Sequence, residues 1–143
     1  MLDAINEFRT DHILTIEDPI EYIFTNKKSI ITQREVGRDT LSFSTAIRSA
    51  MREDANIIMI GEIRDAETME VALSLAETGH FVISTLHTSG SVETISRMLQ
   101  FFPITIETQI RTRIANSLIG VLSQRLIPLK NENGRVAIRE IMF

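Results

Sequence analysis

Three stretches of the chain join a short apolar run to polar groups that could do chemistry at its downstream end. His12-Ile-Leu-Thr-Ile16 leads into Glu17-Asp18-Pro19, Asn56-Ile-Ile-Met-Ile60 into Gly61-Glu62-Ile63-Arg64-Asp65, and Phe81-Val-Ile-Ser-Thr85 into Leu86-His87-Thr88. A glutamate directly after a buried strand can orient a water or a hydrated Mg²⁺ beside a phosphate chain, so Glu62 is the first candidate. The competing role is a helix-start carboxylate satisfied by backbone amides. Gly61 permits the close backbone approach that a ligand edge requires. Glu17 and Asp18 form a second acidic pair, suited to activating water or hydrating a metal, or simply to forming a turn ahead of proline. His87 can donate a hydrogen bond to a phosphoryl oxygen or bond to the sheet edge, and the Thr88 hydroxyl stands beside it. His12 and His80 stand at strand starts, on the opposite edge, where a structural role is expected.

One histidine with carboxylates on separate strands is a poor zinc set, since such sites use about three convergent protein ligands. Mg²⁺ held mostly through water suits these oxygen donors better. A phosphate site of this kind normally also has a glycine-rich loop ending in Gly-Lys-Ser/Thr, whose amides cradle the phosphates. None of the six glycines precedes a lysine. The second half of a nucleotide site is therefore present in these 143 residues without the first.

The elements that must position these groups are legible from periodicity. The three apolar runs are short and rich in β-branched residues, which predicts buried strands. Phe43, Ala46, Ile47, Ala50 and Met51 fall at helical spacing, as do Met69, Ala72, Leu73 and Ala76, with Asp65 placed as an N-cap and Gly79 as a C-terminal stop. Alternating strands and helices predict right-handed crossovers and a parallel sheet covered on both faces, with ligands bound at the carboxyl ends of the strands. A further short strand is expected at Ser29 to Gln33. Val92, Ile95, Met98 and Leu99 mark a helix ended by Pro103, and Ile106, Ile110, Ile114 and Leu118 mark another. Gln124 to Leu129 and Arg135 to Met142 predict a closing hairpin around Asn131-Glu-Asn-Gly134, a sequence suited to positive φ.

Composition sets the outer bounds. At 143 residues, 43% hydrophobic and 24% charged, the chain suits one α/β domain with a real core. The net charge of −4 argues against a nucleic-acid partner, and no apolar run reaches the ~18–20 residues of a membrane span. The absence of cysteine removes disulfides, thiolate metal sites and cysteine nucleophiles and allows a cytoplasmic setting. The basic residues are mostly arginine, clustered at Arg34, Arg38, Arg48 and Arg52. These suit phosphate or carboxylate partners, or surface ion pairs.

The motifs together resemble a known family. Ile13-Leu-Thr-Ile-Glu-Asp-Pro-Ile-Glu21 resembles the aspartate box of the type II secretion and type IV pilus ATPases, Ile57-Ile-Met-Ile-Gly-Glu-Ile-Arg-Asp65 their Walker B segment, and Thr78-Gly-His-Phe-Val-Ile-Ser-Thr-Leu-His-Thr88 their histidine box. Gln33 to Thr40 and Ala50 to Asp54 are similar to the family as well. Within it, the pilus retraction branch of twitching motility is the nearest resemblance. Assembly and export members carry a four-cysteine loop, whereas Leu122-Ser-Gln-Arg-Leu126 here passes through a short turn to Arg139-Glu-Ile-Met142.

The resemblance implies that residues 1–143 form a single partial domain of RecA-like P-loop fold, mostly a parallel sheet flanked by helices, with a C-terminal hairpin. It implies ATP and Mg²⁺ as cofactors and a homo-hexameric ATPase that drives pilus retraction. The implied setting is the cytoplasm, at the inner-membrane pilus base, peripheral to the membrane and beside a platform protein. Glu62 takes the Walker B role of organising Mg²⁺ and the attacking water, with Glu17 a second candidate and Asp18 its neighbour. Gly61 stands where many P-loop proteins have a magnesium-binding aspartate. His87, followed by Thr88, lies near the γ-phosphate, and Arg34 and Arg38 are interface arginines that reach a neighbour's nucleotide. Met1 to Asn6 resembles the end of the helix after a Walker A loop. That loop, an amino-terminal domain and helices beyond Phe143 are expected outside this chain, which leaves a sheet edge exposed. The alternatives are a pilus-assembly or type II secretion ATPase fragment, or a non-catalytic oligomerising module.

Overall fold

A computed structural model describes residues 1–130 and 133–143, which group into two compact units, Met1–Thr85 and Leu86–Phe143. In the first, α1 (Leu2–Phe8) precedes β1 (His12–Glu17), β2 (Ile30–Glu35), α2 (Phe43–Ala50), β3 (Ile57–Ile60), α3 (Ala66–Glu77) and β4 (Phe81–Ser84). The four strands form one sheet in the order β2-β1-β3-β4, and every neighbouring pair is parallel. This is the expected α/β architecture, with β1 and β3 in the middle.

The sequence explains the placement. Ile13, Leu14, Ile16, Ile58 and Ile60 are completely buried, each worth roughly 1.5–3 kcal/mol of transfer free energy. Strand alternation sends Ile13 and Ile57 to one face, where Leu2 of α1 completes a small core with Ile5, Phe24 and Ile31. α2 packs against β1 and α3, and α3 against β4. Coverage of the sheet is uneven, because Met59 and Ile83 on the α1 face are only partly buried. β4 forms one edge, with Phe81 exposed and Val82, Ile83 and Ser84 half-buried.

The predicted caps are present. Asp65 Oδ1 accepts from the Thr68 amide at 2.7 Å at the start of α3. At the other end Gly79 takes φ +97°, and the amides of Gly79 and His80 donate to the carbonyls of Ala76 and Leu75, the bond pair of a Schellman motif. Asn6 is fully buried and ties α1 to the entry of β2. Its Nδ2 donates to Thr25 O at 2.8 Å and its Oδ1 accepts from the Lys27 amide at 3.0 Å.

The second unit contains α4 (Ser91–Gln100), a 3₁₀ turn (Ile104–Ile106), α5 (Glu107–Ser117) and the antiparallel pair β5 (Val121–Pro128) and β6 (Arg135–Met142). Three expectations need adjustment. Val92 is 77% exposed, because the buried face of α4 is Ser91, Thr94 and Met98. Ile106 ends the 3₁₀ turn that follows Pro103, so α5 buries Ile110 and Ile114 without it. Gly134 does not sit at positive φ; its carbonyl accepts from the Leu129 amide at 3.1 Å and so prolongs the ladder. The remainder of that turn, residues 131–132, lies outside the described residues.

Candidate functional site

Parallel pairing in register brings the ends of β1 and β3 together, since Ile16 pairs with Ile60 and the Gly61 amide donates to Ile16 O at 2.8 Å. The bare Cα of Gly61 faces this strand. A Cβ there would lie 3.3 Å from Ile16 O and 3.5 Å from Glu17 Cα. The close approach read from the sequence is thus made by β1 itself. The end of β4 joins the same edge: Thr85 Oγ1 donates to Gly61 O at 2.7 Å, and the Ile63 amide donates to Thr85 O.

The two aspartate-box acids separate sharply. Glu17 is 7% exposed and its carboxylate turns inward. It accepts from Thr15 Oγ1 at 2.7 Å, from Gln33 Nε2 at 3.2 Å and from the Glu21 amide at 3.5 Å. Asp18, whose peptide bond to Pro19 is cis, faces outward instead. Its Oδ2 accepts from Arg64 at 3.2 Å, and the same guanidinium pairs with Glu62 Oε1. The side chain of Glu62 is 19% exposed, so it is reachable from solvent yet held in place. The hydrogen bond to Glu62, and secondarily the Asp18 charge, raises the Arg64 pKa above the ordinary guanidinium value.

Both expected interface arginines have acidic partners within the chain. Arg34 donates to Glu53 at 2.8 Å, and Arg38 forms a two-pronged pair with Asp39 at 3.1 and 3.0 Å. His87 and Thr88 lie in the second unit. His87 adopts φ +49°, an uncommon conformation for a side-chain-bearing residue, and Thr88 Oγ1 lies 2.6 Å from Thr94 Oγ1. The other two histidines each bond a threonine hydroxyl. His12 Nε2 meets Thr32 Oγ1 at 3.0 Å, and His80 Nδ1 meets Thr78 Oγ1 at 3.1 Å.

Arg64, Gln33 and Thr85 are additional members of this edge. Gln33 pairs in register with Thr15 on the face that also carries Glu17, a placement that only the strand register reveals. Arg64 had no signal beyond its place two residues after Glu62. Among the described residues no group of three or more His, Cys, Asp and Glu side chains could cage a metal. The carboxylates of Glu62 and Asp18 are hard oxygen donors, few in number and partly exposed, whereas that of Glu17 is buried. That set fits Mg²⁺, which is commonly held by one or two carboxylates together with water and substrate phosphates.

A parallel sheet that collects carboxylates beyond the carboxyl ends of its central strands is the arrangement of α/β proteins that bind ligands at that edge. The chain belongs to the Type II/IV secretion system protein family, whose model matches residues 1–141. It is 52% identical over all 143 residues to the type IV pilus retraction ATPase PilT of Pseudomonas aeruginosa, covering 41% of that protein. It is 49% identical over the same length to a twitching motility protein of Neisseria gonorrhoeae, covering 38% of it. The crystal structure of the pilus retraction motor PilT with bound ADP superposes with a TM-score of 0.94 at 51% identity, over 99% of this chain and 41% of that one. The chain thus spans about two fifths of the length of the relatives it matches. No described helix is long and apolar enough to cross a membrane.

Proposed function

We propose that residues 1–143 are part of a RecA-like ATPase domain in a hexameric motor that retracts type IV pili. The observation that carries this reading is the match along the whole chain to a protein named as a pilus retraction ATPase. The setting is the cytoplasmic face of the inner membrane, where the ring works against the pilus platform protein.

In this reading Glu62 takes the proton from, or orients, the water that attacks the γ-phosphate. Asp18 and Arg64 hold the Glu62 carboxylate at the strand edge. Glu17, bonded to Thr15 and Gln33, is the second acid and fixes the start of the segment that Asp18 belongs to. Mg²⁺, held through water by Glu62 and Glu17, would neutralise charge on the phosphates when bound. Gly61 and Thr88 line the nucleotide, and His87 donates a hydrogen bond to a γ-phosphate oxygen. Arg34 and Arg38 reach the nucleotide of a neighbouring subunit after exchanging Glu53 and Asp39 for phosphate.

Loss of the full-length protein tests the direction of the motor. A retraction motor predicts cells that keep surface pili but cannot twitch, whereas bald cells would assign the chain to the assembly ATPases, and intact pili with impaired secretion to the type II secretion ATPases. The second reading is a non-catalytic oligomerising module, which would lack a Gly-Lys-Ser/Thr loop in the full-length protein as well. An in-frame loop of that type upstream of Met1 decides for the motor.

A further inference from the structure

The loop bearing His87 and Thr88 is fastened to the C-terminal hairpin by both of its strands. Arg125 Nε, from β5, donates to Ser89 O at 3.0 Å. Glu140 Oε1, from β6, accepts from the Ser91 amide at 3.2 Å, and its other oxygen lies where a Cβ on Gly90 would come within 3.3 Å. Ser123 pairs with Glu140 and Arg125 with Ile138, so Arg125 and Glu140 project from the same face of the hairpin. The opposite face carries a separate pair, Arg139 Nε to Gln124 Oε1 at 3.2 Å.

Local bonds complete the fastening. The Ser89 amide donates to Glu93 Oε2 at 2.9 Å, and Thr94 Oγ1 donates to Gly90 O at 2.9 Å. A residue with a side chain keeps a left-handed φ such as that of His87 only where its surroundings over-determine the backbone. Here the four residues after His87 are each tied, two of them, Ser89 and Ser91, to side chains far downstream. A carboxylate at a helix N-terminus also has the favourable sign for the helix dipole, so Glu140 holds α4 and the loop together.

From this geometry we infer that Arg125 and Glu140 are positioning residues, which hold the His87 loop in the conformation needed for ATP hydrolysis. The inference rests on the proposed role of His87 at the γ-phosphate. It also gives a use to the Gln-Arg and Arg-Glu pairs of the short hairpin, which the site itself leaves unused.

The test is steady-state ATP hydrolysis by the full-length protein carrying Arg125→Met, Arg125→Lys, Glu140→Ala or Glu140→Gln, with amide exchange followed at residues 88–91. Misplacing a catalytic group by about 1 Å can cost about a hundredfold, so kcat is expected to fall about tenfold or more in Arg125→Met and Glu140→Ala, with KM for ATP within about twofold. Arg125→Lys and Glu140→Gln, which keep a donor and an acceptor, should recover most of kcat. Exchange at 88–91 should rise while that of β1, β3 and α3 stays unchanged. An unchanged kcat with faster loop exchange overturns the inference. So does a fall in kcat that tracks a falling melting temperature and is not rescued by the conservative variants. If Glu140→Ala does not fold, Arg125→Met decides, since it removes one side-chain bond from an exposed strand position. Glu62→Gln and His87→Ala serve as references in the same assay. If both retain full turnover, the ATPase reading falls and this inference with it. If both lose turnover and the hairpin variants do not, this inference alone falls.

Discussion

Arg64 and Asp18, far apart in sequence, meet at 3.2 Å and join the segment after β3 to the segment after β1. Because the same guanidinium also holds Glu62, one side chain sets the separation of two acids on neighbouring strands. Arg64→Gln removes both ion pairs while keeping a short polar side chain. The pairs are exposed, so the fold should survive intact by circular dichroism. Turnover of ATP by the full-length protein should nonetheless drop several-fold, and a variant with wild-type turnover would show that Glu62 needs no such restraint.

Asn6 tests a purely structural claim. It is fully buried, and its side chain satisfies one backbone carbonyl and one amide in the 25–27 segment. Asn6→Ala leaves both without those partners, at about 1–3 kcal/mol for each unsatisfied group. A urea unfolding midpoint should shift down accordingly, with an unchanged m-value.

Asp39 carries a pH dependence whose sign is fixed. The two-pronged bond from Arg38, and then the Glu35 amide, lower its pKa below the ordinary carboxylate value. A depressed carboxylate contributes stability that is present above its unfolded pKa and lost as pH falls through its folded one. The tie between Glu35 and Asp39 should therefore persist at neutral pH and weaken only below the normal aspartate range. An NMR titration of Asp39 should give a value below that of a model peptide, and Arg38→Gln should move it back up.

The 143 residues by themselves lack the loop whose amides normally bind phosphates. Their affinity for ATP is expected to be millimolar or weaker, which leaves at most about 4 kcal/mol of binding free energy. Calorimetry on the isolated chain checks this, and submicromolar binding would mean that the remaining edge is itself a complete site.

What the sequence showed and what it hid follow from the range of the interactions. Strands rich in β-branched residues, the Asp65 cap and the Gly79 stop depend on near neighbours, and all are found where expected. The outward turn of Asp18 and the inward turn of Glu17 depend on the register with β2 and β3, which no local pattern encodes. Val92 misled because apolar spacing alone cannot say which stripe of α4 meets the hairpin; Ser91 and Thr94 occupy it instead. Likewise Glu140 acts on a helix start 49 residues earlier in the chain. Short-range chemistry was legible, and the connections that position it were not.

The central claim, that Glu62 serves ATP hydrolysis, is tested most directly by the turnover number of full-length protein carrying Glu62→Gln. The substitution keeps size and hydrogen bonding but removes the charge and the basic oxygen. Loss of a general base or water-orienting group costs about 10²–10⁴-fold, so kcat should fall by at least about a hundredfold with ATP binding retained. Turnover within a few fold of the wild-type value would contradict the account.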